Sequence, residues 1–257
     1  MGKTLSKVPA VTFGFWIIKI AATTVGETGG DWVTMSLNLG YLAGSAIFLA
    51  IFVVAVAAQI SVKKFHPYLY WLVILATTTL GTTLADFCDR SLGAGYFTGM
   101  SALFVLLMLS LALWYWRAGS VAVETVDSPR IEKYYWLTIL FSQTLGTALG
   151  DFMADDDLHG LGLGYRWSAL IFCAALAVVA ALWFGTRISR AGLFWAAFIL
   201  TRPLGATLGD FLDKPLTTGG LALSRLDATL ALIAFMVICI LIFPQRPGEH
   251  PRAPPAA

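Results

Sequence analysis

The sequence predicts an all-α fold: a polytopic membrane bundle of eight transmembrane helices made from four parallel two-helix repeats. Three observations carry this prediction. The chain is 58% hydrophobic and only 12% charged, with a mean hydropathy of +0.77. A soluble domain carries about twice that share of charge. The apolar residues fall into eight runs of bilayer-spanning length, and one residue pattern recurs four times at constant spacing.

The composition excludes several classes. A soluble enzyme, a disordered chain and a disulfide scaffold do not look like this. Seventeen basic and fifteen acidic residues leave a net charge of +2, so no basic footprint for nucleic acid is visible. Cys88, Cys173 and Cys239 are far apart and outside any metal-ligand spacing. His66, His159 and His250 are too few for paired-His haem or zinc sites.

A spanning helix needs about 20 mostly apolar residues. The eight runs cover residues 10–31, 37–60, 67–88, 97–117, 134–152, 165–186, 191–211 and 222–243. They make one transmembrane domain over 1–243, with repeats near 10–62, 67–118, 132–188 and 191–243. The longest connection, 118–133, holds Glu124, Asp127, Pro129 and Arg130, and it suggests a split into two four-helix halves. The Pro-rich tail, 244–257, is expected to be disordered and cytoplasmic.

Lysine and arginine set the orientation. One side carries Lys3, Lys7, Lys63, Lys64, Arg117, Arg130, Lys133, Arg187, Arg190, Arg246 and Arg252. The other carries Arg90, Arg166, Lys214 and Arg225. Both termini are therefore expected in the cytoplasm, in a multi-pass membrane protein. Lys3 and Lys7 before an apolar run imitate a signal peptide. Cleavage is not expected, because that run is the first copy of the repeat.

The repeat is read from four alignments. Trp16 precedes Thr24-Val25-Gly26-Glu27-Thr28-Gly29-Gly30-Asp31. Trp71 precedes Thr79-Leu80-Gly81-Thr82-Thr83-Leu84-Ala85-Asp86. Trp136 precedes Thr144-Leu145-Gly146-Thr147-Ala148-Leu149-Gly150-Asp151. Trp195 precedes Pro203-Leu204-Gly205-Ala206-Thr207-Leu208-Gly209-Asp210. Trp and Asp are 15 residues apart in every copy. A Gly-Tyr pair follows in three copies (Gly40-Tyr41, Gly95-Tyr96, Gly164-Tyr165), while the fourth has Leu223-Ser224-Arg225.

On these residues, over about 9–243, the chain resembles bacterial integral membrane proteins built from four tandem two-helix repeats with a characteristic Trp, the uncharacterised membrane-anchored protein family. The resemblance implies eight spans and brings no agreed functional residues. Two spans per repeat return the chain to the same side, so all copies share one orientation. They can pack in a pseudo-fourfold or a twofold arrangement.

Two helix faces emerge from the motif. Gly26/Gly30, Gly81/Ala85, Gly146/Gly150 and Gly205/Gly209 form a small-residue stripe suited to close helix packing. Beside it, Thr24, Thr28 and Asp31, then Thr79, Thr83 and Asp86, form an oxygen stripe. Thr144 and Asp151, and Thr207 and Asp210, continue it with one hydroxyl fewer. From Trp to Asp is about 22 Å along a helix. With Trp placed at the interface as an aromatic belt, the Asp residues lie in the outer part of the bilayer. A carboxylate at a helix C-terminus is repelled by the helix dipole. It is kept there by protonation, by a bound cation, or by capping the loop that follows.

The copies differ at single positions. Glu27 replaces Thr82, Thr147 and Ala206, and can act as a further ligand or proton carrier. Arg202 replaces Thr23, Thr78 and Gln143, and is expected to pair with Glu27 or an Asp. Lys19 replaces Ile74, Ile139 and Phe198, and is expected to snorkel. Ten acids on the outer side (the four motif Asp residues with Asp89, Asp155, Asp156, Asp157, Asp213 and Asp227) face four bases.

The predicted function is transport or export of a cation. The oxygen-only ligand set favours a divalent metal, Mn²⁺ or Mg²⁺, with proton exchange on Asp as the counter-step. The candidate metal ligands are Asp31, Asp86, Asp151 and Asp210. Thr24, Thr28, Thr79, Thr83, Thr144, Thr207 and Glu27 are supporting oxygens. No catalytic residue and no further cofactor is expected; the partners are the lipid bilayer and a small cation, not nucleic acid. Two alternatives stay open: an accessory membrane protein whose motif serves packing, and an intramembrane acid–base enzyme using two of the carboxylates.

Overall fold

A computed structural model describes residues 3–251. Eight long helices follow one another: α1 (Phe13–Asp31), α2 (Gly40–Ser61), α3 (Pro67–Asp86), α4 (Tyr96–Ala118), α5 (Pro129–Ala154), α6 (Tyr165–Gly185), α7 (Arg190–Asp213) and α8 (Arg225–Ile242). Two short strands, β1 (Lys3–Pro9) and β2 (Pro247–Pro251), flank them. Six of the helices are long and apolar enough to cross a membrane. The other two, α1 and α5, are diluted by hydroxyl and charged residues such as Lys19, Glu27, Thr144 and Asp151.

That dilution has a structural reason. The odd-numbered helices form an inner ring: α1 packs on α3 and α7, and α5 packs on the same two. Each even helix lies outside, against the odd helix of the next copy: α2 on α3, α4 on α5, α6 on α7 and α8 on α1. Only 17% of the apolar stretch of α2 is buried, against 72% for α3. A helix apolar all round suits an exposed position among lipid tails. A helix shielded by neighbours can carry threonines, provided each hydroxyl finds a partner.

The chain thus closes into a cycle in which α8 meets α1. Connection 118–133 does not divide the bundle, since α3 and α5 pack as α1 and α7 do. It caps one end of the ring instead. Ser6 Oγ donates to Val123 O at 2.9 Å, and Lys7 N to Val126 O at 2.7 Å. The buried Lys7 ammonium pairs with Glu132 and donates to Gln59 O at 2.8 Å. β1 pairs antiparallel with β2, so the expectation of disorder from Pro244 is corrected for Pro247–Pro251. Residues 252–257 lie outside those described.

The ring is tight because of its glycines. A Cβ on Gly26 would lie 2.5 Å from Thr78 Cβ, on Gly205 2.5 Å from Thr23 Cβ, and on Gly81 3.0 Å from two backbone atoms of Gln143 and Thr144. Gly146 lies against Arg202 in the same way. One turn on, Gly30 faces Thr82, Gly150 faces Ala206, and Gly209 faces Glu27, while Ala85 is buried at the equivalent place in α3. Each copy presents its small residues to the next, around the whole cycle.

The motif tryptophans are not an interfacial belt. Trp71, Trp136 and Trp195 are buried, in an aromatic cluster with Phe15, Tyr70, Tyr135 and Phe194 at the strand-capped end. Trp16 lies at its edge. Their helices are largely shielded by neighbouring helices, so the indoles reach inward. Trp195 Nε1 donates to Val121 O at 2.9 Å and Trp71 Nε1 to Gln245 Oε1 at 3.1 Å. The exposed tryptophans are Trp116 and Trp167, on outer helices.

Candidate functional site at the carboxylate end

The four motif Asp residues close the inner helices at the end opposite the aromatic cluster. All four are buried. They gather in two groups, each built around a base that follows its Asp by four residues. In one, Arg90 Nε meets Asp86 Oδ1 at 3.0 Å, and its Nη2 meets Asp155 Oδ2 at 2.9 Å and Asp151 Oδ2 at 3.9 Å. In the other, Lys214 Nζ meets Asp31 Oδ2 at 2.7 Å and Asp210 Oδ1 at 3.1 Å. Each base therefore joins its own copy to the next. It also places positive charge where the helix dipole favours it.

The groups are elaborated differently. Tyr96 and Tyr165 donate their hydroxyls to Asp155 at 2.9 and 2.8 Å. Arg225 stands at the repeat position of those tyrosines, and its Nε lies 3.3 Å from Asp213 Oδ2 and 3.8 Å from Asp31 Oδ2. Asp31, Asp210 and Asp213 each bring one carboxylate oxygen within 4.8 Å of the others. Asp213 follows Asp210 by three residues, as Asp89 follows Asp86. Among the described residues neither oxygen of Asp89 or Asp213 accepts a hydrogen bond, though both carboxylates are buried.

The charges do not cancel. Asp31, Asp86, Asp89, Asp151, Asp155, Asp210 and Asp213 are seven acids, and Arg90, Lys214 and Arg225 are three bases. With every carboxylate ionised, seven minus three would leave an excess of four negative charges in a region where most of these side chains are buried. Burial of Lys214 would by itself depress its pKa. The carboxylates of Asp210, Asp31 and Asp213 outweigh that and hold it well above the usual lysine value, so this base stays charged. A cavity of about 400 Å³ touches both groups, lined by Arg90, Asp155, Asp156, Asp157, Tyr165 and Lys214 among others.

The threonines of the oxygen stripe are placed differently. Thr24, Thr79 and Thr144 donate to carbonyls four residues back, at Ile20, Leu75 and Leu140. Thr28 and Thr207 bond back to Thr24 O and Pro203 O, and Thr83 to Leu80 O. Thr28 also lies 2.8 Å from the Thr229 hydroxyl. Among the described residues no hydrogen bond joins these threonines to the motif carboxylates.

Glu27 belongs to a separate layer. Arg202 Nη2 meets Glu27 Oε2 at 2.9 Å and also donates to Thr82 and Thr147. Glu27, Thr82 and Thr147 are the same repeat position in three copies, so Arg202, from the fourth, reaches all of them across the ring. Arg202 is completely buried. The bridging roles of Arg90 and Lys214 went unread in the sequence, although their i, i+4 spacing after Asp86 and Asp210 is a usable signal.

A family described as a Repeat of Unknown Function (DUF347) matches the chain four times, over residues 14–65, 69–120, 134–189 and 193–244. Comparison with curated proteins and with solved structures gives no significant match.

Proposed function

The chain belongs to this four-copy repeat family, and from that premise we propose that it is a membrane transporter or exporter of a divalent cation, with Mn²⁺ or Mg²⁺ as the cargo. All eight helices span the membrane in this reading. The two helices short of apolar character are screened by the outer ring. Both termini lie in the cytoplasm of a bacterial inner membrane, and the carboxylate end faces outward.

One observation carries the reading: seven carboxylates against three bases, packed at one end of the inner ring. An uncompensated carboxylate is costly away from water, and such groups bind cations or protons instead. The ligand atoms are all hard oxygens, and no His or Cys is among them, which favours Mg²⁺, Mn²⁺ or Ca²⁺ over softer metals. The Asp31, Asp210 and Asp213 trio is the best-formed seat. The cavity beside Lys214 is its approach from outside, where acidic Asp155–Asp157 concentrate cations. Below the carboxylates the axis is closed by Arg202, so carriage by alternating access fits better than an open pore. Protons leaving and rejoining the Asp groups would balance the charge. We read the chain as a carrier rather than an enzyme, because a permanent cation already bridges each pair of motif carboxylates.

The test is thermal stability of the purified protein in detergent, scanned with Mg²⁺, Mn²⁺, Ca²⁺, Zn²⁺ and Na⁺. A ligand that binds only the folded state at about 100 times its Kd contributes about 2.7 kcal/mol. For a chain of this size that is a rise in Tm of roughly 5–10 °C. The rise is expected with Mn²⁺ or Mg²⁺ and should vanish in Asp213→Asn and Asp210→Asn. If no ion moves the Tm between pH 5 and 8, the transporter reading fails, and an accessory role resting on helix packing takes its place.

A further inference from the structure

A second charge imbalance, of opposite sign, lies deeper in the ring. Lys19 and Arg202 are both completely buried, and they repel one another across the core. Glu27 is the one carboxylate paired with either of them among the described residues, so with Lys19 protonated, the state a bound anion favours, the layer carries one excess positive charge. The donors are unmet as well. A guanidinium offers five N–H groups, yet among the described residues Arg202 Nε and Nη1 have no acceptor. Gln143 Nε2 has none either. Lys19 makes one hydrogen bond, at 3.3 Å to Gln143 Oε1, and otherwise sits over the Phe198 ring at 4.2 Å.

Buried charges normally survive by pairing, and an unmet buried donor costs free energy. Lys19, Gln143 and Arg202 together offer a positive charge and at least four free N–H groups, with no protein acceptor for them. From this we infer that the core of the inner ring binds a small monovalent anion between Lys19, Gln143 and Arg202. The site is unique in the cycle. The repeat positions of Lys19 are otherwise Ile74, Ile139 and Phe198, all fully buried, and those of Gln143 and Arg202 are Thr23 and Thr78. The inference shares Arg202 with the transporter reading but does not rest on cation binding, since it uses none of the motif carboxylates.

The test uses the full chain in detergent with a metal chelator present, so divalent-cation binding cannot contribute. Tm is measured in sodium chloride, bromide, nitrate and gluconate at equal ionic strength, gluconate serving as the bulky organic anion. Chloride, bromide or nitrate is expected to raise Tm above the gluconate value by roughly 5 °C. Lys19→Met should make Tm independent of the anion and no lower than wild type in gluconate, because it puts an apolar side chain where the other copies have one. Should Lys19→Met not purify, Gln143→Leu decides, and must lose most of the dependence. Broadening of the chloride-35 resonance by wild-type protein, reversed by bromide, is the independent readout. The same Tm in all four salts would overturn the inference, as an uncharged Lys19 or a core filled with water would produce. So would an anion shift undiminished in both variants.

Discussion

Arg202→Met is expected to cost roughly 3–5 kcal/mol of stability, read as a lowered unfolding midpoint in detergent, because it strands the buried Glu27 carboxylate. Glu27 is 2% exposed and loses the one ionic partner it has among the described residues. Thr82 and Thr147 lose the guanidinium that joins them across the ring. Glu27→Gln should cost less, since the amide keeps an acceptor for Arg202. The decisive protein is the double variant Glu27→Leu/Arg202→Met. Replacing both members of a buried ion pair with apolar groups of similar volume is often neutral or stabilising. Its midpoint is therefore expected to return to within about 1 kcal/mol of wild type, allowing for ordinary repacking losses. If the double variant is as unstable as the sum of the singles, the two groups are not coupled and the layer is held by something else. A stable double variant also opens a functional measurement. With the axial guanidinium gone, a transporter that depends on Arg202 to close its axis should leak ions into proteoliposomes.

That pairing was legible because it is a departure from a repeat. An arginine where other copies have Thr or Gln, and a glutamate where others have Thr or Ala, each demand a partner in an apolar setting. The sequence left Arg202 either Glu27 or an Asp as partner, and the structure pairs it with Glu27. The shared direction of the inner helices was legible too, from the constant Trp-to-Asp spacing. Other features were hidden for physical reasons. Hydropathy cannot separate a helix facing lipid from one facing protein, so the motif tryptophans looked like a belt, although the hydroxyl content of α1, α3, α5 and α7 already argued for an inside position. Arg90 and Lys214 looked like topology signals, since a base near a membrane face is ordinary. Only the fold shows that each reaches back to its own Asp and across to the next copy. β1 and β2 gave no signal at all. Each is a few residues long and polar, and its partner lies at the far end of the chain. Nor does any local pattern say that α2 packs on α3 and α8 on α1; that follows only from closing the cycle.

Gly81→Val is expected to destabilise the protein by about 3 kcal/mol or more, at the upper end for overpacking a close-packed core. The reason is what stands opposite. A Cβ at position 81 would meet the Gln143 carbonyl carbon and the Thr144 nitrogen, both at 3.0 Å. These are backbone atoms, so no rotamer change can relieve the contact and α3 must move away from α5. That movement also stretches the link made by Arg90, which holds Asp86 of α3 to Asp151 and Asp155 at the end of α5. If the carboxylate end binds a divalent cation as proposed, the variant should lose that stabilisation along with its packing, even though residue 81 touches no carboxylate. Gly185→Ala is the matched control. Gly185 ends an outer helix, and nothing lies within 4 Å of a Cβ placed there. There alanine is expected to be neutral or to stabilise by a few tenths of a kcal/mol, through its better helix propensity and smaller unfolded-state entropy. Equal midpoints for Gly81→Val and Gly185→Ala would mean that the glycines do not set the spacing of the inner ring. The geometry of the carboxylate end would then have to be held by its ion pairs alone.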